Sequence, residues 1–266
     1  MSDTTKSIYA RFQSLAARKS LQPAFRMARS LVASGMNYQP GHFTRSGELD
    51  VLRRIRASGT AVDTIFDVGA NVGGWAVAAA EIFPDATIYS FEPASDTFRE
   101  LEAQAQGRKI VPVRAALSDT PGTRTLYSVP GMDWMSSLEE LDLSRLQLEA
   151  SEHEEVPCLT LDQFSAERGI GSIDILKIDV EGHEFAVLQG ATHLLEGSSV
   201  GYVQFEMGVA NLDTRTFLRD FVNLLEPGHP VYRILRDGLG RLNYSVKEES
   251  FSEANFFAVA KDRPVP

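Results

Sequence analysis

The run Ile65-Phe66-Asp67-Val68-Gly69-Ala70-Asn71-Val72-Gly73-Gly74 constrains this chain more than any other stretch of it. A short apolar segment ends in an acid, glycines follow at once, and Trp75 to Phe83 reads as a helix. This is the strand–turn–helix corner of a nucleotide-cofactor fold. Glycine there permits a tight turn and lets a ligand approach main-chain N–H groups.

The pattern downstream alternates. Strands are expected at 64–68, 87–91, 110–115, 173–178, 202–206, 232–235 and 256–260. Helices are expected at 72–83, 94–104, 161–168, 183–194 and 214–225. Strands separated by helices of this length predict an α/β fold, a mostly parallel sheet with helices on both faces. No helix separates the last two strands, and Gly238-Leu239-Gly240 reads as a hairpin turn, so the far edge is expected to be antiparallel. Residues 1–60 form an expected N-terminal helical extension and 61–266 the main domain. An insertion is expected near 120–156, starting with a strand-like stretch from Gly122 to Val129. Met132, Asp133, Trp134 and Met135 lie in its irregular part, where apolar groups fit either a lid over an acceptor or the insertion's own core.

Charge is unevenly spread. Up to residue 60 the basic residues are Lys6, Arg11, Arg18, Lys19, Arg26, Arg29, Arg45, Arg53, Arg54 and Arg56, against Asp3, Glu48 and Asp50, while the whole chain carries -10. An acidic main body is a poor surface for a polyanion, so no nucleic-acid partner is expected. The basic N-terminal helices, with Leu15, Leu21, Phe25, Ala28, Leu31 and Val32 near helical spacing, leave open a solvated face, a homodimer, a carrier, a phosphorylated substrate, the acidic body itself or peripheral contact with an anionic membrane. The single cysteine, Cys158, excludes an intrachain disulfide and reads as a small buried apolar residue. No apolar run approaches the roughly 20 residues that span a bilayer, and no apolar signal segment is visible. A cytoplasmic setting is expected.

Glu92 ends the second strand, where an acid in doubly wound folds accepts the hydroxyl hydrogens of a ribose. Both NAD and S-adenosylmethionine carry such a ribose. The first turn separates them. A dinucleotide site wants G-x-G-x-x-G under its pyrophosphate, whereas Asn71 stands here at the middle glycine's place. Asp67 would repel a pyrophosphate and attract a sulfonium and an ammonium. Asp67, Gly69, Asn71, Gly73 and Glu92 are therefore read as an S-adenosylmethionine site, with a capped helix start as the plain alternative. Ser118 and Asp119 follow the third strand, where an acid could accept from the adenine amino group or simply turn the chain. Asn37 and Glu48 could close over the methionine end, or serve as loop and cap residues.

The same residues carry a family resemblance. Asn37, Ser46-Gly47-Glu48, DVGANVG, Phe91-Glu92-Pro93, Ala116-Leu117-Ser118-Asp119, Thr160-Leu161-Asp162, Leu176 to Glu184 (LKIDVEGHE), Val187 to Ala191 and Gln204-Phe205-Glu206 together resemble the FkbM family of S-adenosylmethionine-dependent methyltransferases. The resemblance runs from about residue 37 to 260. It implies a class I methyltransferase, Rossmann-like fold and methylation of a hydroxyl oxygen. The acceptors it implies are natural products and sugars of glycans or glycolipids.

A neutral hydroxyl is a weak nucleophile and needs a base or a metal. Asp179 ends the fourth parallel strand, Glu181 and His183 follow, and Glu206 ends the adjacent strand. Glu181, His183 or Glu206 is the expected general base. Alternatively Asp179 and Glu206, with Glu181, hold Mg or Mn, the cations that hard oxygen ligands favour. Glu184 reads as a helix-start acid, Lys177 as a strand residue that either pairs with an acid or snorkels, and His153 and His193 as surface or helix-packing residues. An inactive cofactor-binding module and an NAD-dependent oxidoreductase remain the competing functions.

Overall fold

The computed structural model describes residues 16–38, 41–132, 135–146, 148 and 152–266. Leu15, Asp133 and Trp134 lie outside them. The chain divides into two compact units, Met1–Gln39 and Pro40–Pro266.

In the smaller unit a 14-residue helix, α1 (Gln22–Gly35), carries Pro23 in its first turn, where a missing N–H costs no hydrogen bond. Asn37 follows it with φ 54°.

The larger unit opens with α2 (Glu48–Ala57). Its Leu49, Val51, Leu52 and Ile55 are buried in the main core. Acids in its first turn and arginines in its last match the helix dipole. Within this division α2 belongs to the larger unit.

The order continues β1 (Thr64–Val68), α3 (Gly74–Ile82), β2 (Thr87–Phe91), α4 (Ser95–Ala105), β3 (Ile110–Val113), β4 (Ala116–Leu117), β5 (Gly122–Ser128), β6 (Glu152–Leu159), α5 (Leu161–Arg168) and β7 (Ile173–Ile178). It ends with α6 (Glu184–Gln189), α7 (Thr192–Glu196), β8 (Val200–Met207), α8 (Ala210–Thr214), α9 (Leu218–Leu225), β9 (Val231–Leu235), β10 (Gly238–Arg241) and β11 (Ala254–Val259). The main sheet runs β10-β9-β11-β8-β7-β1-β2-β3. Strands β3, β2, β1, β7 and β8 are parallel. At the far edge β11 runs antiparallel between β8 and β9, and β10 antiparallel to β9. The strand order reverses between β1 and β7, the place where open α/β sheets bind ligands at their carboxyl ends.

Every residue of β7 is buried, as both faces of a central parallel strand require. One face packs Phe66, Phe91 and Phe164 ring against ring with Tyr89. The other packs α2 and Trp75 over Ile65, Ile88, Ile175 and Phe257.

Several expected elements differ in detail. The hairpin turn is Arg236–Asp237, and Gly238 to Gly240 lie within β10. The helix expected at 183–194 is broken into α6 and α7 at Gly190, because the backbone there presses on Ser118; a Cβ would collide with the Ser118 carbonyl. Asp162 caps α7 by accepting from the N–H groups of His193 and Leu194 at 2.9 and 3.1 Å. The helix expected at 214–225 likewise splits at Arg215, φ 58°. Glu152 to Glu155, expected to be irregular, begin β6, which forms a second sheet with β4 and β5. Cys158 is buried there. Met135 packs with Val129 and Leu143 in the insertion's own small core, so of the two roles open to it the second holds. Among the described residues no helix is long and apolar enough to cross a membrane.

Candidate active site

The first turn uses left-handed backbone at every second residue. Gly69, Asn71 and Gly73 have φ 75°, 50° and 88°. Asparagine tolerates this region because its short side chain can bond locally, and Asn71 Oδ1 accepts the Val72 N–H at 2.6 Å. Gly69 admits no side chain: a Cβ would collide with the Asp179 carbonyl. The turn is tied to β2 by Gly69 and Ala70 N–H groups, both donating to the Phe91 carbonyl at 3.0 and 2.9 Å.

Glu92 sits beside this turn, 6% exposed. Its Oε2 accepts the Asn71 N–H at 3.0 Å and its Oε1 the Ala94 N–H at 2.9 Å. Burial pushes its carboxyl up to about 7, although both N–H groups pull the other way. Each oxygen keeps acceptor capacity for one more donor, which is what two ribose hydroxyls require.

Behind the turn three strands place polar groups in one row. Asp67 of β1 is in register with Lys177 of β7, and Lys177 with Gln204 of β8. Lys177 Nζ lies 3.3 Å from Asp67 Oδ1, 3.3 Å from Asp179 Oδ2 and 3.3 Å from the Gly69 carbonyl. Burial would depress this ammonium, but Asp67, Asp179 and Glu48 outweigh it and hold it above its ordinary value. Asp67 is fully buried, and its oxygens have no other hydrogen-bond partner among the described residues. Gln204 Nε2 donates to Glu48 Oε2 at 2.5 Å, and Ser46 Oγ donates to Glu48 Oε1 at 2.6 Å. Glu48 is thus held within the larger unit's interior, where burial raises its pKa.

The loop after β7 gathers acids. Glu181 and Gly182 are both left-handed, with φ 51° and 100°. Glu184 holds the loop from beneath. Its Oε1 accepts the N–H groups of Val180 and Gly182 at 3.1 and 3.0 Å. Asp179, Glu181 and Glu206 each offer a carboxylate oxygen within 4.8 Å of the others. Burial first, then mutual repulsion with Asp179, drives Glu181 and Glu206 well above the ordinary carboxylate range.

His183 is buried and bonded at both ring nitrogens, Nδ1 to Glu139 Oε1 at 2.7 Å and Nε2 to Ser118 Oγ at 2.9 Å. Ser118 Oγ also donates to Asp119 Oδ1 at 2.8 Å, and Arg124 donates to the same oxygen at 2.7 Å. The Ser118 hydrogen bond leads in holding the Asp119 carboxyl below its usual value. Ser137 Oγ donates to the Glu181 carbonyl at 2.8 Å, so the insertion is fastened to the acid-bearing loop.

A cavity of about 740 Å³, including its solvent-open mouth, joins these parts. Gly69, Asn71, Glu92, Asp179, Glu181 and His183 line it. Asp67, Gly73, Glu48, Ser118, Asp119 and Glu206 do not; Asp67 and Glu48 stand behind the wall, and Glu206 meets the cavity's acids from β8. Asn37 belongs to the smaller unit. Sequence reasoning assigns no role to the apolar wall of Ala116, Leu117, Leu126 and Leu138, or to the Ser136 to Leu138 strap. Ala116 and Leu117 stand in the Ala116 to Asp119 motif, but no motif marks Leu126 or Ser136 to Leu138. The role of Lys177 had a signal, the lone cation in a central strand whose neighbouring residues Ile175, Leu176 and Ile178 are apolar.

The family model described as the methyltransferase FkbM domain matches residues 67–225, more than half of the chain. The chain is 33% identical over 153 residues to the 31-O-demethyl-FK506 methyltransferase FkbM of Streptomyces tacrolimicus, covering 48% of this chain and 59% of that protein. It is 26% identical over 176 residues to the hexuronic acid methyltransferase AglP of Haloferax volcanii, covering 65% and 69%. It is 28% identical over 142 residues to methyltransferase 1 of Beauveria bassiana, covering 47% and 57%. The match therefore spans little more than half the length of the first of these relatives. With the switch-point cavity, the left-handed turn and the acid-bearing strand ends in place, the chain belongs to the FkbM family of methyltransferases.

Proposed function

We propose that the protein is an S-adenosylmethionine-dependent O-methyltransferase whose acceptor is a hydroxyl of a sugar or of a natural product. The carrying observation is that one cavity joins two carboxylate stations, Glu92 at the end of β2 and Asp179 with Glu181 at the end of β7. Glu92 fits the ribose, the Gly69–Asn71 turn allows close approach of the cofactor, and Asp179 offers a carboxylate to its ammonium. When bound, the cofactor supplies an electrophilic methyl group on a sulfonium. The names of two relatives, one carrying "31-O-demethyl" and one "hexuronic acid", support an oxygen acceptor and keep polyketide and sugar both in view.

Glu181 and Glu206 act as the base in this reading. Two carboxylates so close cannot both ionise cheaply, so the pair holds one proton and its ionised member takes the hydroxyl hydrogen. A second reading is favoured by one observation, the three ligand atoms of Asp179, Glu181 and Glu206 within 4.8 Å. A hard divalent cation such as Mg or Mn would neutralise the same cluster and lower the hydroxyl pKa.

Transfer of labelled methyl to a panel of uronic acids, glycolipids and polyketide alcohols tests the function. Turnover that survives EDTA and is lost in Glu181→Gln and Glu206→Gln supports the base. Turnover restored only by Mg or Mn supports the cation. Cofactor binding without transfer to any hydroxyl acceptor counts for an inactive module.

A further inference from the structure

We infer that α1 is an interfacial anchor that docks the protein on an anionic lipid surface. This inference goes beyond the methyl-transfer reading and does not rest on it. The helix buries none of its residues. Leu21, Phe25, Met27, Leu31 and Val32 keep between 41 and 68% of their area exposed. At 100° per residue, Leu21, Phe25, Ala28, Leu31 and Val32 fall on one side of the helix. Arg26 and Ser30 fall on the other, Arg29 flanks the stripe beside Phe25, and Arg18 and Lys19 precede the helix. Large apolar side chains held in water along a helix about 21 Å long need an explanation. An apolar stripe backed by cations is the pattern of a helix lying in a bilayer interface.

Charge selects the occupant. No Asp or Glu occurs between Asp3 and Glu48. Two copies of this helix packed stripe to stripe would bring arginines together with no acid to offset them, whereas paired helices normally carry complementary flanks. A nucleic acid would satisfy the arginines but give the stripe nothing to bury in. From residue 40 onward the chain holds 35 acids (36 less Asp3) against 20 bases (26 less the six before it). That unit could attract the helix of a second copy. Among the described residues, however, its exposed large apolar side chains are Val111, Val209, Leu212, Phe217, Val246 and Val265, in four separate segments. Only a bilayer offers an apolar medium as long as the stripe together with negative headgroups. The acidic unit is itself repelled by such a surface, so the attraction must come from the segment before it.

The test is vesicle flotation of the full chain. One set of vesicles is equal parts phosphatidylglycerol and phosphatidylcholine, and the other is phosphatidylcholine alone. The expected result is partition at least about tenfold stronger on the anionic set, weakened by salt. Phe25→Gln/Leu31→Gln and Arg26→Gln/Arg29→Gln should each reduce it by about tenfold or more. Glutamine is a good helix former, and an unchanged far-UV circular dichroism spectrum checks that the helix persists. Equal partition on both vesicle types, no partition on either, or no loss in either variant overturns the inference. So does a dimer in sedimentation that the apolar variant dissolves while vesicles bind neither form.

Discussion

His183 Nδ1 stands 2.7 Å from Glu139 Oε1, while Nε2 of the same ring stands 2.9 Å from Ser118 Oγ. Both nitrogens are committed, one to the insertion and one to the end of β4. The ring works here as a tie across the cavity, and the base is better sought in Glu181 and Glu206. Glu139→Ala should loosen the Ser136 to Leu138 wall. A charge-assisted bond of which one partner is half-exposed is worth about 1 kcal/mol. S-adenosylhomocysteine binding should therefore weaken by about fivefold, read by calorimetry, with Glu139→Gln nearer to wild type. Undiminished binding in Glu139→Ala would remove the tie from the account.

Lys177 carries the buried charge balance. Lys177→Met would leave Asp67 fully buried without its cation, a change that typically costs about 3–5 kcal/mol. Urea unfolding should show the loss, and Lys177→Met/Asp67→Asn should recover part of it. A double variant no more stable than the single one would show that the pair does not act as a unit.

Glu92 makes a pH prediction. Its folded pKa of about 7 lies above the ordinary 4.5. Between those values the folded protein holds a proton that the unfolded chain has released, so this group lowers stability as pH rises through that window. Glu92→Gln removes the dependence. The stability of the variant relative to wild type should climb by up to about 3 kcal/mol from pH 4.5 to 7 and then level off. A flat difference across that range would contradict the buried, raised carboxyl.

Gly69 tests the close approach of β1 to β7. Gly69→Ala adds a Cβ that meets the Asp179 carbonyl at a left-handed position. The variant should lose about 2 kcal/mol or more of stability. It should also lose product binding, because Asp179 must move. Unchanged binding and melting temperature would mean the turn can relax away from β7.

Much of this was legible in the chain because local chemistry and global fold agree. β1, β2, β7 and α5 fall at the expected residues, since apolar runs flanked by glycine, proline and capping residues mark their ends. Helices broke where tertiary contact overrode pattern. Gly190 gives way to the Ser118 backbone, which no periodicity reveals. The strand-end acids Glu92, Asp179 and Glu206 were visible from position alone. The cavity wall from Ser136 to Leu138 was not, because an irregular segment has no period, and its place is fixed by Ser137 bonding to the Glu181 carbonyl.

The most direct measurement is calorimetric titration of S-adenosylhomocysteine into the wild-type protein and Glu92→Ala. The account predicts one site per chain in the wild type. It predicts at least about thirtyfold weaker binding in the variant, the loss of roughly 2 kcal/mol that a charged hydrogen-bond partner carries. Absence of binding in folded wild type, or equal affinity in the two proteins, would contradict the assignment of this cavity to the cofactor.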